Sequence, residues 1–551
     1  MSSLERHPLE SISRDNPLFG AVRATIETNF YQNNVVDVPD LKTAYALAKN
    51  APGVIELDQP VYEPEKIGLP KDAKVLLFND GAIVGRYARA RVILGDDGVD
   101  IAKYATLARE AVFHERKKKQ YHAQVVIGQQ EDFMVKAHLL IPEGYEHLLY
   151  NWMLNFQELT PEIKEMYKNS RSYPEGDIYI VSAPDYQAPG HESGLALFDP
   201  EHNCALLCGM RYFGEHKKGT LTLAWSIANR NGFVCCHGGM KKIESNDREY
   251  ALAVFGLSGS GKSTLTHARH DGKYEIEVLH DDAYIIHEDL GYTIALEPSY
   301  FDKTQDYPAG HPANRYLITV QNCGATRNEK GEVTLVAEDI RNGNGRAIKS
   351  ILWTDNRVQR INEPVDAIGW IMKDEVLPPI VRITDPVLAS AFGATLATKR
   401  TSAERLAADV DPDSLIIEPY ANPFRTYPLG QDYEKFKQLF AKSNVACYVL
   451  NTGSFLGKNI PKEVTLGMIE GLVEEEIEFV PMPGIPGLQY AVQEGFEVPD
   501  TREYKNRFSK SIQYRINFIE NVRYKDRLPM EAENALLMLR LAVDEYEVNP
   551  K

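Results

Sequence analysis

Residues 250–265 read YALAVFGLSGSGKSTL, an apolar run that stops at glycine, carries the pattern GxxxxGK[ST] and then turns to helix-forming residues. Gly256, Gly259 and Gly261 let the backbone curl, so that N–H groups along Leu257, Ser258 and Ser260 can point inward at phosphate oxygens. Lys262 can reach the terminal phosphates, and the Ser263 hydroxyl, followed by Thr264, can ligate magnesium. The preceding strand pattern and the following helix pattern supply the context that a nucleotide-binding loop requires, so the chain is expected to handle ATP. A phosphate loop also needs a carboxylate for its metal. The segment EVLHDDAYII ends an apolar strand on Asp281 and Asp282, where an acid can hold magnesium or its water shell beside the phosphates. Taken alone, paired aspartates are equally turn or capping residues.

The elements that must hold these residues are those of a mixed α/β chain. At 551 residues the chain exceeds one ordinary core, and two domains of more than about 200 residues each are expected. The polar stretch KKIESNDRE, residues 241–249, precedes the loop's strand. It divides an N-terminal substrate-binding domain, residues 1–245, from a phosphate-loop nucleotide-binding domain, residues 246–551. Residues 75–94 read as two strands closed by the turn GDDG, and residues 101–119 read as a helix whose end, HERKKKQ, is a solvated terminus. Strand runs are expected around Tyr316, Ile368 and Tyr448, and the acidic residues 470–479 at the surface.

Hydrophobic residues at 43% and charged residues at 25% describe an ordinary globular protein. A net charge of −17 disfavours a nucleic-acid partner. Neither a signal peptide nor a membrane-spanning run is legible, so the expectation is a cytoplasmic protein with small-molecule partners. The six cysteines form no disulfide framework, and Cys235 and Cys236 beside His237 read as core packing rather than a zinc site.

Several further segments narrow the chemistry. MRYFGEHKKG and the FVCCHGG that follows it, residues 210–239, resemble the part of ATP-dependent phosphoenolpyruvate carboxykinases that carries a YGGEMKKG-like motif and then a histidine before the phosphate loop. The resemblance runs on in order through GLSGSGKSTL, Asp281 and Asp282, EPSYFDK, NRV, VLPPIVRIT and NTG, covering residues 198–458; upstream it is carried mainly by GRYAR around Arg86.

That resemblance implies a two-domain carboxykinase-like fold with the active site in the cleft between the domains. It implies decarboxylation of oxaloacetate and phosphorylation of the enolate from ATP, yielding phosphoenolpyruvate, ADP and carbon dioxide, in gluconeogenesis or anaplerosis. By motif position, Lys218, His237 and Asp282 would bind manganese, while Ser263 serves magnesium. Arg86 and Arg357 would hold substrate carboxylates, Tyr212 and Lys218 would line the substrate site, and Lys262 with Lys303 would steady the phosphates. Catalysis would fall to Lys218, Lys262, Asp281, Asp282 and Arg357. A lysine that ligates a metal must be neutral.

The chain also departs from the family pattern in its ligand loops. His280 replaces the glycine before the aspartate pair, Asn459 stands where an arginine is expected, and GRYARARV keeps little beyond Arg86 of a GRSPKDKY-like loop. Two other readings remain beside the carboxykinase. One is a phosphate-loop kinase of another small-molecule or protein substrate, since GLSGSGKST alone also looks like adenylyl-sulfate kinases. The other is a non-catalytic nucleotide-binding regulator.

Overall fold

The computed structural model describes residues 1–3, 6–245, 248–257, 259–338, 343–399 and 415–547. The fold is mixed α/β and divides into two compact units, each assembled from separated stretches of chain. The first contains Met1–Ile227 and Leu296–Asp355; the second contains Ala228–Ala295 and the described residues from Asn356 onward. Among the described residues, no helix is long and apolar enough to cross a membrane.

The first unit is built on an eight-stranded mixed sheet. Its order is Val35–Asp37, Gln120–Gln130, Phe133–Pro142, Ile178–Ala183, Cys204–Cys208, Leu195–Asp199 and Arg91–Ile93, with Gln157–Glu158 added beside Gln120–Gln130. Several strands are buried along their whole length, as in CALLC and LALFD, because elements cover both faces. Helices Ala21–Asn29 and Ile101–Glu115 set Val22, Ile26, Ala108 and Ala111 against Leu197 and Leu206. Asp100 starts the second of these helices by accepting the N–H groups of Ala102 and Lys103, a cap that stabilises a helix by roughly 1 kcal/mol. A smaller sheet of the same unit runs Tyr300–Lys303, Arg346–Lys349, Leu317–Gln321, Lys74–Phe78 and Val54–Pro60.

Two expectations change here. The helix expected over residues 101–119 ends at Glu115, because Gln120 already pairs with Val35 and Pro142 in the sheet. Its end is not wholly solvated: Glu115 is 1% exposed and lies 3.0 Å from the Lys118 ammonium. The two strands expected over residues 75–94 form as Lys74–Phe78 and Arg91–Ile93, each in a different sheet of the first unit.

The second unit is built on an eleven-stranded sheet. Its order is Arg360–Ile361, Thr293–Ala295, Ala283–His287, Phe233–Glu244, Glu249–Phe255, Ala367–Met372, Ala446–Asn451, Ile380–Ile383, Leu488–Ala491 and Phe479–Pro481, with Glu275–His280 also paired to Phe233–Glu244. Glu249–Phe255, Ala367–Met372 and Ala446–Asn451 are mutually parallel. Beneath them Trp370 packs on Phe255 and Phe436 with ring centres 5.0 and 5.2 Å apart, and its indole N–H donates to the Ala389 carbonyl.

The polar run over residues 241–249 does not separate two bodies. Phe233–Glu244 and Glu249–Phe255 are antiparallel neighbours with Glu244 opposite Glu249, so Ser245 sits in a hairpin connection inside the second unit. A hairpin tip at the surface and an interdomain linker have the same local composition.

Candidate active site

The phosphate loop leaves the carboxyl end of Glu249–Phe255, the first of the three parallel strands, where open α/β sheets place their ligands. Gly259 and Gly261 have φ of +80° and +97°, which only glycine adopts without strain, and helix Lys262–His267 begins directly after them. The other two parallel strands brace the loop from their own carboxyl ends. Beyond Met372, the Lys373 ammonium donates to the Gly259 carbonyl at 3.1 Å; beyond Asn451, the Thr452 hydroxyl donates to the Ser260 carbonyl at 2.8 Å. Asn451 is buried and spends its amide on the carbonyls of Asp374, Leu377 and Ser454, while its Oδ1 accepts the Gly453 N–H.

Gly256, Leu257 and Ser260 are buried, Gly259, Ser263 and Thr264 are exposed, and Lys262 is 9% exposed. The Ser260 hydroxyl is buried without a hydrogen-bond partner among the described residues, a polar atom left for something else to satisfy. Ser258, expected to take part in the loop, lies outside the described residues.

The aspartate pair is joined to this loop by sheet pairing. Glu275–His280 and Ala283–His287 both pair with Phe233–Glu244, which brings His237 opposite Ala283. His237 Nε2 lies 3.1 Å from Asp282 Oδ1, and the Lys262 ammonium is 3.9 Å from the same oxygen. His237 Nδ1 is 2.5 Å from the Ala421 carbonyl oxygen and so must donate its proton there. That leaves Nε2 facing a carboxylate with its lone pair, an arrangement that calls for a proton or a cation between them. Two ligands about 2.1 Å from one cation and at right angles stand about 3 Å apart, and imidazole with carboxylate suits a divalent transition metal.

Asp281 points elsewhere. It is buried and lies 3.4 Å from His267 Nε2. Burial pushes its carboxyl up, but His267 and the Lys262 ammonium outweigh burial and hold it well below the usual carboxylate range. Cys235 and Cys236 are buried free thiols; burial first of all pushes Cys235 up to about 12, so both stay protonated. Arg357 is half-buried on the segment that bridges Val278, two residues before His280, and its Nε donates to the Val358 carbonyl at 3.2 Å. Asn459 is exposed in the short hairpin of Ser454–Phe455 and Lys458–Asn459.

The remaining expected residues, Arg86, Tyr212, Lys218 and Lys303, belong to the first unit. Helix Phe213–Arg230 carries Lys218, half-buried with its ammonium 5.8 Å from the Trp225 ring centre. Tyr212 precedes the helix and is buried, 6.2 Å from Phe301 between ring centres. Lys303 ends the strand Tyr300–Lys303 opposite Arg346. Arg86 is half-buried in the connection after Lys74–Phe78, which buried Asn322 and Asn344 pin through both polar groups of Val84.

Sequence reasoning missed three supports of this set. Lys217 is fully buried, with its ammonium 3.0 Å from Glu297 Oε1, and Glu297 Oε2 accepts from Asn155. Arg91 joins the helix to the sheet through Glu215 at 2.8 Å, in its first turn, and Thr222 at 3.0 Å, at its middle. Asn322 and Asn344 sit in short polar runs that read as ordinary turns. A buried acid can be suspected from its apolar surroundings, as at LEPSY, but its partner cannot be named from spacing.

The sequence model of the phosphoenolpyruvate carboxykinase family, ATP type, matches residues 87–501, beginning one residue after Arg86. Among similar proteins, the phosphoenolpyruvate carboxykinase (ATP) of Aeropyrum pernix is 26% identical over 62% of this chain and 67% of its own. The glycosomal phosphoenolpyruvate carboxykinase (ATP) of Trypanosoma brucei brucei is 23% identical over 67% of this chain and 78% of its own. That of Staphylococcus haemolyticus is 24% identical over 64% of each.

Proposed function

This chain belongs to the ATP-dependent phosphoenolpyruvate carboxykinase family, and from that premise we propose how its own residues carry the conversion of oxaloacetate and ATP to phosphoenolpyruvate, ADP and carbon dioxide. The observation that carries the reading is the meeting of His237 Nε2, Asp282 Oδ1 and the Lys262 ammonium at the end of the phosphate loop, within 3.1 and 3.9 Å.

His237 and Asp282, with Lys218, would hold a divalent transition cation, manganese by the chemistry of the donors, and Ser263 would hold magnesium. A cation there supplies positive charge to the enolate oxygen and to the phosphates. The residues do the rest. Arg86 and Arg357 pair with the two carboxylates of the substrate, which orients the acid. Cleavage of the bond to the departing carboxylate leaves its electron pair on the enolate and releases carbon dioxide, with Tyr212 lining that site. The enolate oxygen then attacks the γ-phosphorus and ADP departs, while Lys262 and Lys303 neutralise the phosphate oxygens throughout. Asp281, held ionised, keeps negative charge beside His267 and Lys262 and so limits where the lysine can swing. The setting we propose is cytoplasmic, in keeping with six cysteines that are all free and buried.

The test is to incubate the full chain with oxaloacetate, manganese and ATP, GTP or pyrophosphate, and to measure phosphoenolpyruvate directly. ATP should give the product. Lys262→Ala and Asp282→Asn should each lower turnover by about a hundredfold or more while thermal unfolding stays near the wild type. ATP hydrolysis or phosphorylation of another acceptor without phosphoenolpyruvate would refute the substrate assignment, and near-normal turnover by either folded variant would refute the roles given to those residues.

A further inference from the structure

His280 puts a fully buried imidazole directly before the aspartate pair, where the resemblance in sequence leads one to expect a glycine. The two strands on either side of the pair share one neighbour, with His280 opposite Met240 and Ala283 opposite His237. Gly238 N–H donates to the Asp282 carbonyl at 3.1 Å, so the ladder reaches Asp282. The Asp282 N–H turns to His280 instead, donating to its Nδ1 at 2.9 Å, and the Ala283 N–H reaches the same nitrogen at 3.3 Å. A side chain that accepts from the N–H groups two and three residues on does what asparagine does in an Asx turn: it sets a local twist that competes with the ladder. A nitrogen accepting these bonds carries no proton, so the ring proton of His280 is on Nε2.

The twist has a consequence for the carboxylates. The two carboxylates of this bend point apart: Asp281 meets His267 at 3.4 Å, while Asp282 meets His237 at 3.1 Å and Lys262 at 3.9 Å. The peptide between the two aspartates is the one whose N–H His280 grips.

We infer that His280 is a positioning residue, which aims the Asp282 carboxylate at His237 and Lys262 by accepting the Asp282 and Ala283 N–H groups through Nδ1. This rests on the reading of His237 and Asp282 as cation ligands. Asparagine at this position can offer Oδ1 near the place of Nδ1; alanine offers nothing.

The experiment titrates manganese into the full chain without nucleotide, by electron paramagnetic resonance, for the wild type, His280→Ala, His280→Asn and Asp282→Asn, with thermal unfolding of each. Asp282→Asn, which removes a charged ligand, and His280→Ala, which removes an outer-shell support, should each weaken manganese binding by about tenfold or more. His280→Asn should stay near the wild type. Wild-type affinity in His280→Ala while Asp282→Asn is weakened overturns the inference and leaves the site reading intact. An asparagine variant no better than alanine, both folded, overturns it as well, and wild-type affinity in Asp282→Asn overturns the site reading and the inference together. A second measurement does not depend on the alanine variant folding. In protein carrying 15N-histidine, the His280 resonances, assigned by their loss in His280→Asn, should show an unprotonated Nδ1 and a protonated Nε2, and the opposite tautomer overturns the inference.

Discussion

Replacing Gly214 by alanine tests the substrate site through a single methyl group. Gly214 is the second residue of helix Phe213–Arg230, and a Cβ there would stand 2.3 Å from Tyr212 Cε1, 2.6 Å from Cζ and 2.9 Å from the hydroxyl oxygen. Carbon atoms in contact prefer about 3.5 Å, so the ring must retreat by about 1 Å. It is buried beside Phe301, with little room to do so at no cost. Alanine is the better helix former by up to about 1 kcal/mol, which offsets part of the roughly 1–3 kcal/mol that displacing a buried ring costs, so the variant should stay folded with thermal stability at or modestly below the wild type. Activity should fall by far more than this loss of stability explains. A misplacement of about 1 Å in a site that orients its substrate can cost about a hundredfold, and kcat/KM for oxaloacetate should fall by up to that factor. Adding Gly214→Ala to Tyr212→Ala, where no ring remains to displace, should cost nothing further. Wild-type kcat/KM in Gly214→Ala, or an equal loss with and without the Tyr212 ring, would refute the role given to Tyr212.

Three other outcomes are expected. His237→Ala should weaken manganese binding by about tenfold or more while magnesium–ATP affinity is kept, because imidazole suits the transition metal and the phosphate loop holds magnesium; paired titrations with and without nucleotide check this. Arg86→Ala should raise the KM for oxaloacetate or lower turnover with ATP affinity unchanged, as steady-state kinetics in each substrate will read. His147 stacks on Phe78 with ring centres 3.6 Å apart, its nitrogens have no hydrogen-bond partner among the described residues, and burial, then the charges of His216 and Arg211, lower its pKa to about 3. In the unfolded chain it titrates near about 6.5, so below that pH the unfolded state binds a proton that the folded state refuses, and stability is lost as pH falls, by about 1.4 kcal/mol per unit. His147→Phe keeps the stacking and removes this term, so urea unfolding should show the variant gaining about 2 kcal/mol on the wild type between pH 7 and pH 5; parallel pH profiles would refute it.

The phosphate loop, the aspartate pair and the order of the family segments were legible in the amino-acid sequence because each is a short-range pattern: glycine where φ must be positive, lysine at the start of a helix, acid at the end of a strand. Mixed α/β character was legible for the same reason, from apolar runs such as those at Ala367–Met372 and Ala446–Asn451. What depends on strand register was not. Whether His237 meets Asp282 is decided by which residue of Phe233–Glu244 lies opposite Ala283, and the bracing of the loop by Lys373 and Thr452 is decided by three parallel strands that end together. Burial was equally out of reach. Lys217, in a run of charges that reads as solvated, is fully buried against Glu297, eighty residues further along the chain. The polar stretch around Ser245 had the composition of a linker, yet pairing of Glu244 with Glu249 makes it a hairpin, because composition reports exposure to water and only tertiary pairing decides what the exposed segment connects.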